Sequence, residues 1–505
     1  MPITLGVASD ISFPLRLREK ELVVGFIGCL ILRVGNQPAF YKGKLKIRKP
    51  TALKKKWYFY CSFSQVNLVT PIPATMTSIE TLYDLFLRHP HVTTDSRNIP
   101  AGSLFFALKG ASFNGNHFAS QALKAGSSYA IVDEADAVVN DRCLLVDNVL
   151  ETLQSLANHH RKVCGIPVIG ITGTNGKTTT KELMAAILSR RYNILYTQGN
   201  FNNHIGVPLT LLRLTKAHQL AVIEMGANHP GEIKDLCTIA DPDYGLITNV
   251  GMAHLEGFGS FEGVLRTKGE LYDHLRTKGG HIFINMENPY LESIARDIEH
   301  IPYATSPGHP LWGEALSCSP FLKLRWFKQY SDQGHEANTH LIGSYNLENV
   351  LAAICVGLHF DVSDEAIIEA LEQYVPSNNR SQFHQTEQNS LVIDAYNANP
   401  TSMAAALRNF KDYEAPRKAV ILGSMKELGN VSEEEHKRLA YHIAEANFDR
   451  VFLVGEEFKQ ANSDYPLFTD ADHFIDYLKE QPLEGYTILI KGSRGNHLES
   501  IVPYL

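Results

Sequence analysis

From Met76 onward the apolar positions alternate between short continuous runs and helical stripes. The stretch "TSIETLYDLFLRH" predicts a helix with Thr77 or Ser78 as its N-cap. "SLFFALKG" and "YAIVDE" predict strands, with "HFASQALKAG" a helix between them, which makes a small α/β unit over 76–160. From Pro167 the alternation becomes regular: "PVIGITG", "LAVIEMG", "YGLITNVG" and "HIFINME" predict buried strands separated by helices. That pattern predicts a doubly wound parallel sheet over 161–376, running to the helices "NLENVLAAICVGLHF" and "DEAIIEALEQY". The polar stretch "VPSNNRSQ" predicts a linker near 376. A third βαβ set follows over 377–505, with strands "SLVIDAY", "KAVILGSM", "RVFLVGE" and "YTILIKGS". The fold class is therefore α/β, three α/β domains in series.

The run Val168–Ile171 ends in "TGTNGKTTT", and Leu183, Met184, Ile187 and Leu188 fall on one face of the helix beyond it. Unpaired N–H groups and the dipole of a helix N-terminus favour an anion there. Gly173 and Gly176 let the backbone curl round phosphate oxygens, and Thr174, Asn175 and Thr179 complete the loop and the first turn. Lys177 reaches the β/γ-phosphates and the Thr178 hydroxyl suits Mg²⁺. The strict phosphate-loop pattern wants a glycine where Ile171 stands, and Gly170 comes one residue early. The bland alternative is a glycine-rich turn capping a helix.

Composition adds bounds. The 505 residues are 44% hydrophobic and 20% charged, the balance of a globular protein of several domains. Seven cysteines include no CxxC pair, so neither a disulfide framework nor a zinc site is indicated, and a reducing cytoplasm fits. The longest apolar run, "LVVGFIGCLIL", is too short to span a bilayer, which argues against stable membrane insertion. Net charge divides unevenly, +9 over residues 1–75 and −16 over the rest. An acidic body argues against a nucleic-acid partner.

Further candidates sit at strand and helix ends. Glu224 closes "LAVIE" where a carboxylate suits Mg²⁺, with a strand-end surface glutamate as the plain alternative. His254 follows a strand in a Gly-rich stretch, and Lys268 lies on a helix behind the loop. Asn346 and Asn349 share a helix face, suited either to capping or to reading a base edge. Asp394 ends a strand and suits a ribose hydroxyl, and Lys491, Ser493 and Arg494 form an anion-ready loop.

Together "TGTNGKTTT", "GNFNNHIGVP", "IEMGANHPGEI", "AHLEGFGSFEGVLRTKGELY", "GSYNLENVLAAI", "DAYNANPTSM" and "KGSRG" resemble the Mur ligases of peptidoglycan synthesis. The likeness covers Met76 to Leu505 in order, and the diamino-acid-adding signature "DNPR" is absent, which points to the dipeptide-adding branch. The resemblance implies a UDP-binding domain, a central P-loop-type ATP-binding domain and a Rossmann-like C-terminal domain. It implies that ATP activates the carboxylate of a UDP-N-acetylmuramoyl-tripeptide as an acyl phosphate, which D-alanyl-D-alanine then attacks. It implies that Thr178 and Glu224 hold one Mg²⁺, that His254 serves a second, and that Lys268 is a carbamylated ligand. Lys177 and Arg380 would stabilise the transferring phosphoryl, Asn346 and Asn349 would read adenine, and Asp394 the ribose. Asn200, Asn202 and Asn203 would face the incoming substrates, as would Tyr396, Asn397 and Asn399. Ser96, Arg97, Asn114 and His117 fall in the segment that resembles the UDP site, although the family commonly carries Asp where Asn114 stands. A monomer is expected. Two alternatives stay open: a sister ligase adding a single amino acid to a UDP-muramyl or folate-type acceptor, and a non-catalytic nucleotide switch.

Residues 1–75 stand apart from this likeness. They are basic, and "KLKIRKPTALKKK" suits an anionic lipid surface. The expectation is instead an upstream stretch, poorly ordered or absent from the natural protein. A chain starting at Met76 is then expected to fold and to ligate at the full-length rate. A loss of activity or of melting temperature on that truncation contradicts it.

Overall fold

The computed structural model describes residues 76–505 except 332, 378, 462 and 463, and the backbone of four short strands before them. Those strands pair antiparallel, Cys29–Val34 with Gln37–Lys42 and Lys46–Ile47 with Cys61–Ser62. The expectation of a dispensable N-terminal arm otherwise lies outside the described residues. The chain divides into two compact units, Met1–Met76 and Thr77–Leu505.

The second unit opens with the helix Ile79–Arg88, whose N-cap Ser78 accepts the Thr81 N–H. Four parallel strands follow, Val92–Thr93, Leu104–Phe106, Tyr129–Val132 and Cys143–Leu145. Helix Val149–Cys164 starts on Asn148, which accepts two first-turn N–H groups, and stops at Gly165 in the left-handed region. The expected boundary at 160 runs through this helix. Its buried end fastens two layers together: His160 Nδ1 meets the Tyr83 hydroxyl at 3.2 Å, and Arg161 donates to Ala240 O at 3.0 Å and to Asp243 at 2.6 Å.

The central sheet has six parallel strands in the order Ile194–Tyr196, Leu220–Glu224, Val168–Thr172, Tyr244–Ile247, His281–Asn285, Glu299–Tyr303. Every residue of Val168–Thr172 is buried, because helices cover both faces, which explains an apolar run without alternation. Leu183, Met184, Ile187 and Leu188 of helix Lys177–Leu188 are completely buried on it.

One feature departs from the expected strictly alternating α/β order. Leu311–Ser317, Lys323–Lys328 and His335–Asn338 form a three-stranded antiparallel sheet. Its signal is period-two burial, with Leu322, Leu324 and Trp326 inside and charged residues between them.

The last sheet runs Gln382–Gln385, Ser390–Asp394, Thr487–Lys491, Lys418–Gly423, Arg450–Val454, Leu467–Phe468. Only the edge strand Gln382–Gln385 is antiparallel. Among the described residues no helix is long and apolar enough to cross a membrane, and Cys143, Cys164, Cys237, Cys318 and Cys355 are free thiols.

Candidate active site

The loop after Val168–Thr172 opens at the carboxyl end of the central sheet, between the strands that carry Glu224 and Ile247. That is the switch point where open α/β sheets bind ligands. Gly173 has φ 140°, and a Cβ there would lie 2.0 Å from Thr248 Oγ1. Gly176 has φ 79°, and its Cβ would lie 2.3 Å from Asn349 Oδ1. Glycine is thus demanded at both positions, while Ile171 stands inside the buried strand Val168–Thr172. Helix Lys177–Leu188 starts without a side-chain cap, so its first N–H groups face the cleft unclaimed by a cap.

Lys177 is half-buried and curls back to donate to Gly173 O at 2.7 Å and Thr174 O at 3.0 Å. Burial pushes its amine down to about 8, with Glu224 opposing and Arg380 assisting. Below that value the group is a cation. Thr178 Oγ1 donates to Glu224 Oε1 at 3.2 Å, and Asn202 Nδ2 donates to the same oxygen at 2.8 Å. Glu224 is 1% exposed, and its Oε2 is buried with no hydrogen-bond partner among the described residues. A buried, unsatisfied carboxylate oxygen beside a threonine hydroxyl is a donor set for a hard cation.

Lys181 escaped the sequence reading, although it stands one turn after Lys177. It is completely buried and donates to Thr197 O at 2.7 Å, with Glu182 at 2.9 Å and Glu224 Oε2 at 3.8 Å. Thr197 Oγ1 in turn accepts the Glu224 N–H at 3.0 Å. Lys181 therefore braces Glu224 and the start of the loop carrying Asn202.

His254 and Lys268 approach the same region from behind. His254 lines the cleft, has φ 50°, and its Nδ1 lies against the Glu427 carboxylate. Burial holds its imidazole below the usual range, against the pull of Glu427. Lys268 is 2% exposed, donates to Ala227 O at 3.2 Å and lies 5.1 Å over the Phe258 ring. Burial, helped by Lys177, pushes its amine down to about 7. Glu270 instead accepts the Gly231 and Lys234 N–H groups at the start of helix Glu232–Ala240.

Asn346 and Asn349 do share a face, but neither caps the helix, because Tyr345 is the N-cap and Asn346 already stands in the first turn. Asn346 donates to Ile342 O at 2.8 Å, Asn349 to Asn346 Oδ1 at 2.9 Å, and Thr180 to Asn349 Oδ1 at 3.1 Å. Both amides line the cleft while tying this helix to the phosphate-loop helix.

The C-terminal layer supplies the opposite wall. Arg380 stacks 3.8 Å over Tyr396, and its Nε is buried without a partner among the described residues. It sits between Asn379 and Ser381, at φ 55° and 46°. Two such left-handed non-glycine residues cost on the order of 1–3 kcal/mol each, a strain found where a side chain must be aimed. Lys491 and Asp394 face each other on adjacent strands at 2.6 Å, so one oxygen of the expected ribose ligand is already taken. Asn399 caps helix Pro400–Asp412 and donates to Asn175 Oδ1 of the phosphate loop at 2.8 Å. Asn397 Oδ1 accepts the Ala398 N–H, and Arg494 is exposed beside the Tyr396 ring. Ser493 is buried and accepts the Lys426 N–H, a bond that holds a loop and not a ligand.

These walls enclose a cleft of about 1610 Å³. That exceeds the 300–1,000 Å³ usual for one small ligand and suits a nucleotide together with a second large substrate. Ser96, Arg97, Asn114 and His117 are not among its lining residues. Arg97 pairs with Asp95 on the surface, and Asn114 is consumed by Asn116 and Glu134. Asn200 also stays outside, exposed, whereas Asn202 and Asn203 line the cleft. What reaches it from the first layer is the polar stripe of helix Val149–Cys164: Glu151, Gln154, Asn158, His159 and Lys162. Its helical spacing was visible in the sequence as one polar face.

A phosphate loop, a strand-end carboxylate and a facing basic layer define a nucleotide-phosphate site shared by two α/β domains. Three family matches cover it: Mur ligase family, catalytic domain, over residues 90–171; Mur ligase middle domain over 171–357; and Mur ligase, glutamate ligase domain, over 379–494. UDP-N-acetylmuramoyl-tripeptide--D-alanyl-D-alanine ligase of Bacillus subtilis is 36% identical over 430 residues, 82% of this chain and 92% of that protein. The crystal structure of MurF from Acinetobacter baumannii superposes with a TM-score of 0.74 at 31% identity, covering 82% of this chain and 92% of that one. MurF ligase from Thermotoga maritima in complex with ADP gives a TM-score of 0.74 at 27% identity, covering 83% and 97%. The chain belongs to the Mur ligase family.

Proposed function

We propose that this chain is an ATP-dependent, ADP-forming ligase that joins D-alanyl-D-alanine to a UDP-N-acetylmuramoyl-tripeptide in the cytoplasm, for cell-wall synthesis. The carrying observation is the 36% identity across 92% of a relative that bears this activity in its name. The large two-walled cleft supports it.

The chemistry follows from the weakness of a carboxylate as an electrophile. Its oxygen attacks the γ-phosphorus of ATP, forming a C–O–P link while the P–O bond to ADP breaks. The amine of the dipeptide then adds to the acyl carbon. The tetrahedral intermediate collapses, phosphate leaves with its electron pair, and the amine gives up a proton. Lys177 and Arg380 carry the positive charge that the transferring phosphoryl needs, one from each wall. Asn346 and Asn349 take the adenine end and Asp394 the ribose. Asn202, Asn203, Tyr396 and Asn397 take the acceptor side. The assignment of Ser96 and Arg97 to the uridine diphosphate rests on the resemblance of residues 93–118 alone.

Thr178 and Glu224 Oε2, which has no hydrogen bond among the described residues, fit Mg²⁺, with His254 serving a second position. Bound there, Mg²⁺ neutralises phosphate charge. Among the described residues no group of three His, Cys, Asp or Glu side chains converges to hold a metal. A cation there would be held mainly by substrate phosphates and water. A carbamate on Lys268 would add the missing carboxylate.

The amine preference separates this reading from its competitors. D-alanyl-D-alanine is expected to turn over far faster than D-alanine or L-lysine, measured as amide product at saturating ATP. Equal or better turnover with a single amino acid moves the assignment to a sister ligase. Hydrolysis of ATP indifferent to any amine moves it to a nucleotide switch.

A further inference from the structure

Arg380 lines the cleft on the wall opposite the phosphate loop, and its charge adds to the burial that pushes the Lys177 amine down. A cation taken out of water is ordinarily held by a carboxylate. Among the described residues no ion pair ties Arg380 to one. What lies against it is the face of Tyr396, with 3.8 Å from the guanidinium carbon to the ring centre. Both partners stand on fixed backbone. Arg380 sits between the left-handed Asn379 and Ser381, and the buried Ser381 hydroxyl meets the Tyr345 hydroxyl at 3.0 Å, at the start of helix Asn346–His359. Tyr396 stands two residues beyond strand Ser390–Asp394. Its neighbours Ala395 and Ala398 are buried, and Asn399 caps the next helix.

We infer that Tyr396 is a positioning residue for Arg380, whose ring aims the guanidinium at the phosphoryl site without neutralising it. The negative face of an aromatic ring attracts a cation. A carboxylate partner would instead take two N–H donors in a fork and cancel the charge. Stacked on a ring, Arg380 keeps its donor edge for an incoming anion. Its Nε is buried with no hydrogen bond among the described residues, so that edge is left free by the protein. Arg494 is exposed and its guanidinium carbon stays 5.6 Å from the same ring, so the close place over the ring belongs to Arg380. What Arg380 does for phosphoryl transfer rests on the ligase reading above; the aim of its side chain does not.

The test uses the full chain with Tyr396→Leu, Tyr396→Phe, Arg380→Ala and the double variant Arg380→Ala with Tyr396→Leu. Tyr396→Leu is expected to lower kcat about ten- to thirtyfold, the worth of a partly desolvated cation over an aromatic face. Tyr396→Phe keeps the face and should recover most of that loss. ADP affinity should hold in Tyr396→Leu, because ADP lacks the phosphoryl group that Arg380 meets. A substitution that merely disturbed the loop would weaken ADP through Asp394, two residues away. The double variant should be no slower than Arg380→Ala alone. Wild-type kcat in Tyr396→Leu, a Phe variant as slow as the Leu variant, or a parallel fall in ADP affinity overturns the inference and leaves the ligase reading standing. A second readout needs no activity. In ligand-free protein carrying nitrogen-15 arginine, the Arg380 Nε–H resonance is identified by its loss in Arg380→Ala. The ring current should shift its proton upfield in the wild type and in Tyr396→Phe, and not in Tyr396→Leu. An ordinary shift in the wild type, or one that Tyr396→Leu does not move, overturns the inference even if no ligation is found.

Discussion

Lys177→Ala should lose ligation by on the order of a thousandfold, as removal of a group that stabilises developing transition-state charge does. Its amine touches only the Gly173 and Thr174 carbonyls, which belong to a loop at the cleft wall, and no core side chain depends on it. Burial already weakens its charge, to about 8. The protein accepts a cation in a costly place, and removing it should therefore not lower the melting temperature. The measurement is steady-state product formation beside thermal denaturation. Near-normal turnover removes the phosphate-loop assignment; a collapsed melting transition shows that Lys177 holds the fold.

Lys268→Ala should be almost inactive, with partial recovery in short carboxylic acids. Only an unprotonated amine adds to CO₂, forming the N–C bond and losing a proton to leave a carbamate. The side chain is buried against Phe258 and pushed down to about 7, so much of it is unprotonated at neutral pH. Its product carries a carboxylate where, among the described residues, no group of three metal-ligating side chains converges. The vacated volume of the alanine variant should admit a small acid that supplies the same oxygens. Carbon-13 spectra with labelled bicarbonate should show the carbamate in the wild type and not in the variant. An unmodified amine under bicarbonate, or a variant of undiminished activity, contradicts the assignment.

The inner strands of the three α/β layers were legible because parallel strands covered on both faces leave unbroken apolar runs, as at Val168–Thr172 and Ile488–Ile490, whereas short outer strands such as Val92–Thr93, Ile194–Tyr196 and Leu467–Phe468 were not. The antiparallel sheet around Trp326 was not, because its one buried face is interleaved with lysine and arginine. Of the site, Thr178 and Glu224 were each legible as a Mg²⁺ candidate, and the family resemblance paired them. Lys181 and Glu427 were not legible, since each looks like a solvated charge until burial or a partner from another layer is seen. The first layer misled for a related reason. Arg97 and His117 look available in a loop, whereas the face that meets the cleft is the polar stripe of helix Val149–Cys164, aimed there by His160 and Arg161 packing on its other side.

Phosphate release from ATP tests the central claim most directly, measured with UDP-N-acetylmuramoyl-tripeptide and D-alanyl-D-alanine together and with each left out. The account predicts rapid release, matched one for one by amide product, only in the complete mixture. Release that continues at the same rate without the dipeptide or without the tripeptide would contradict it.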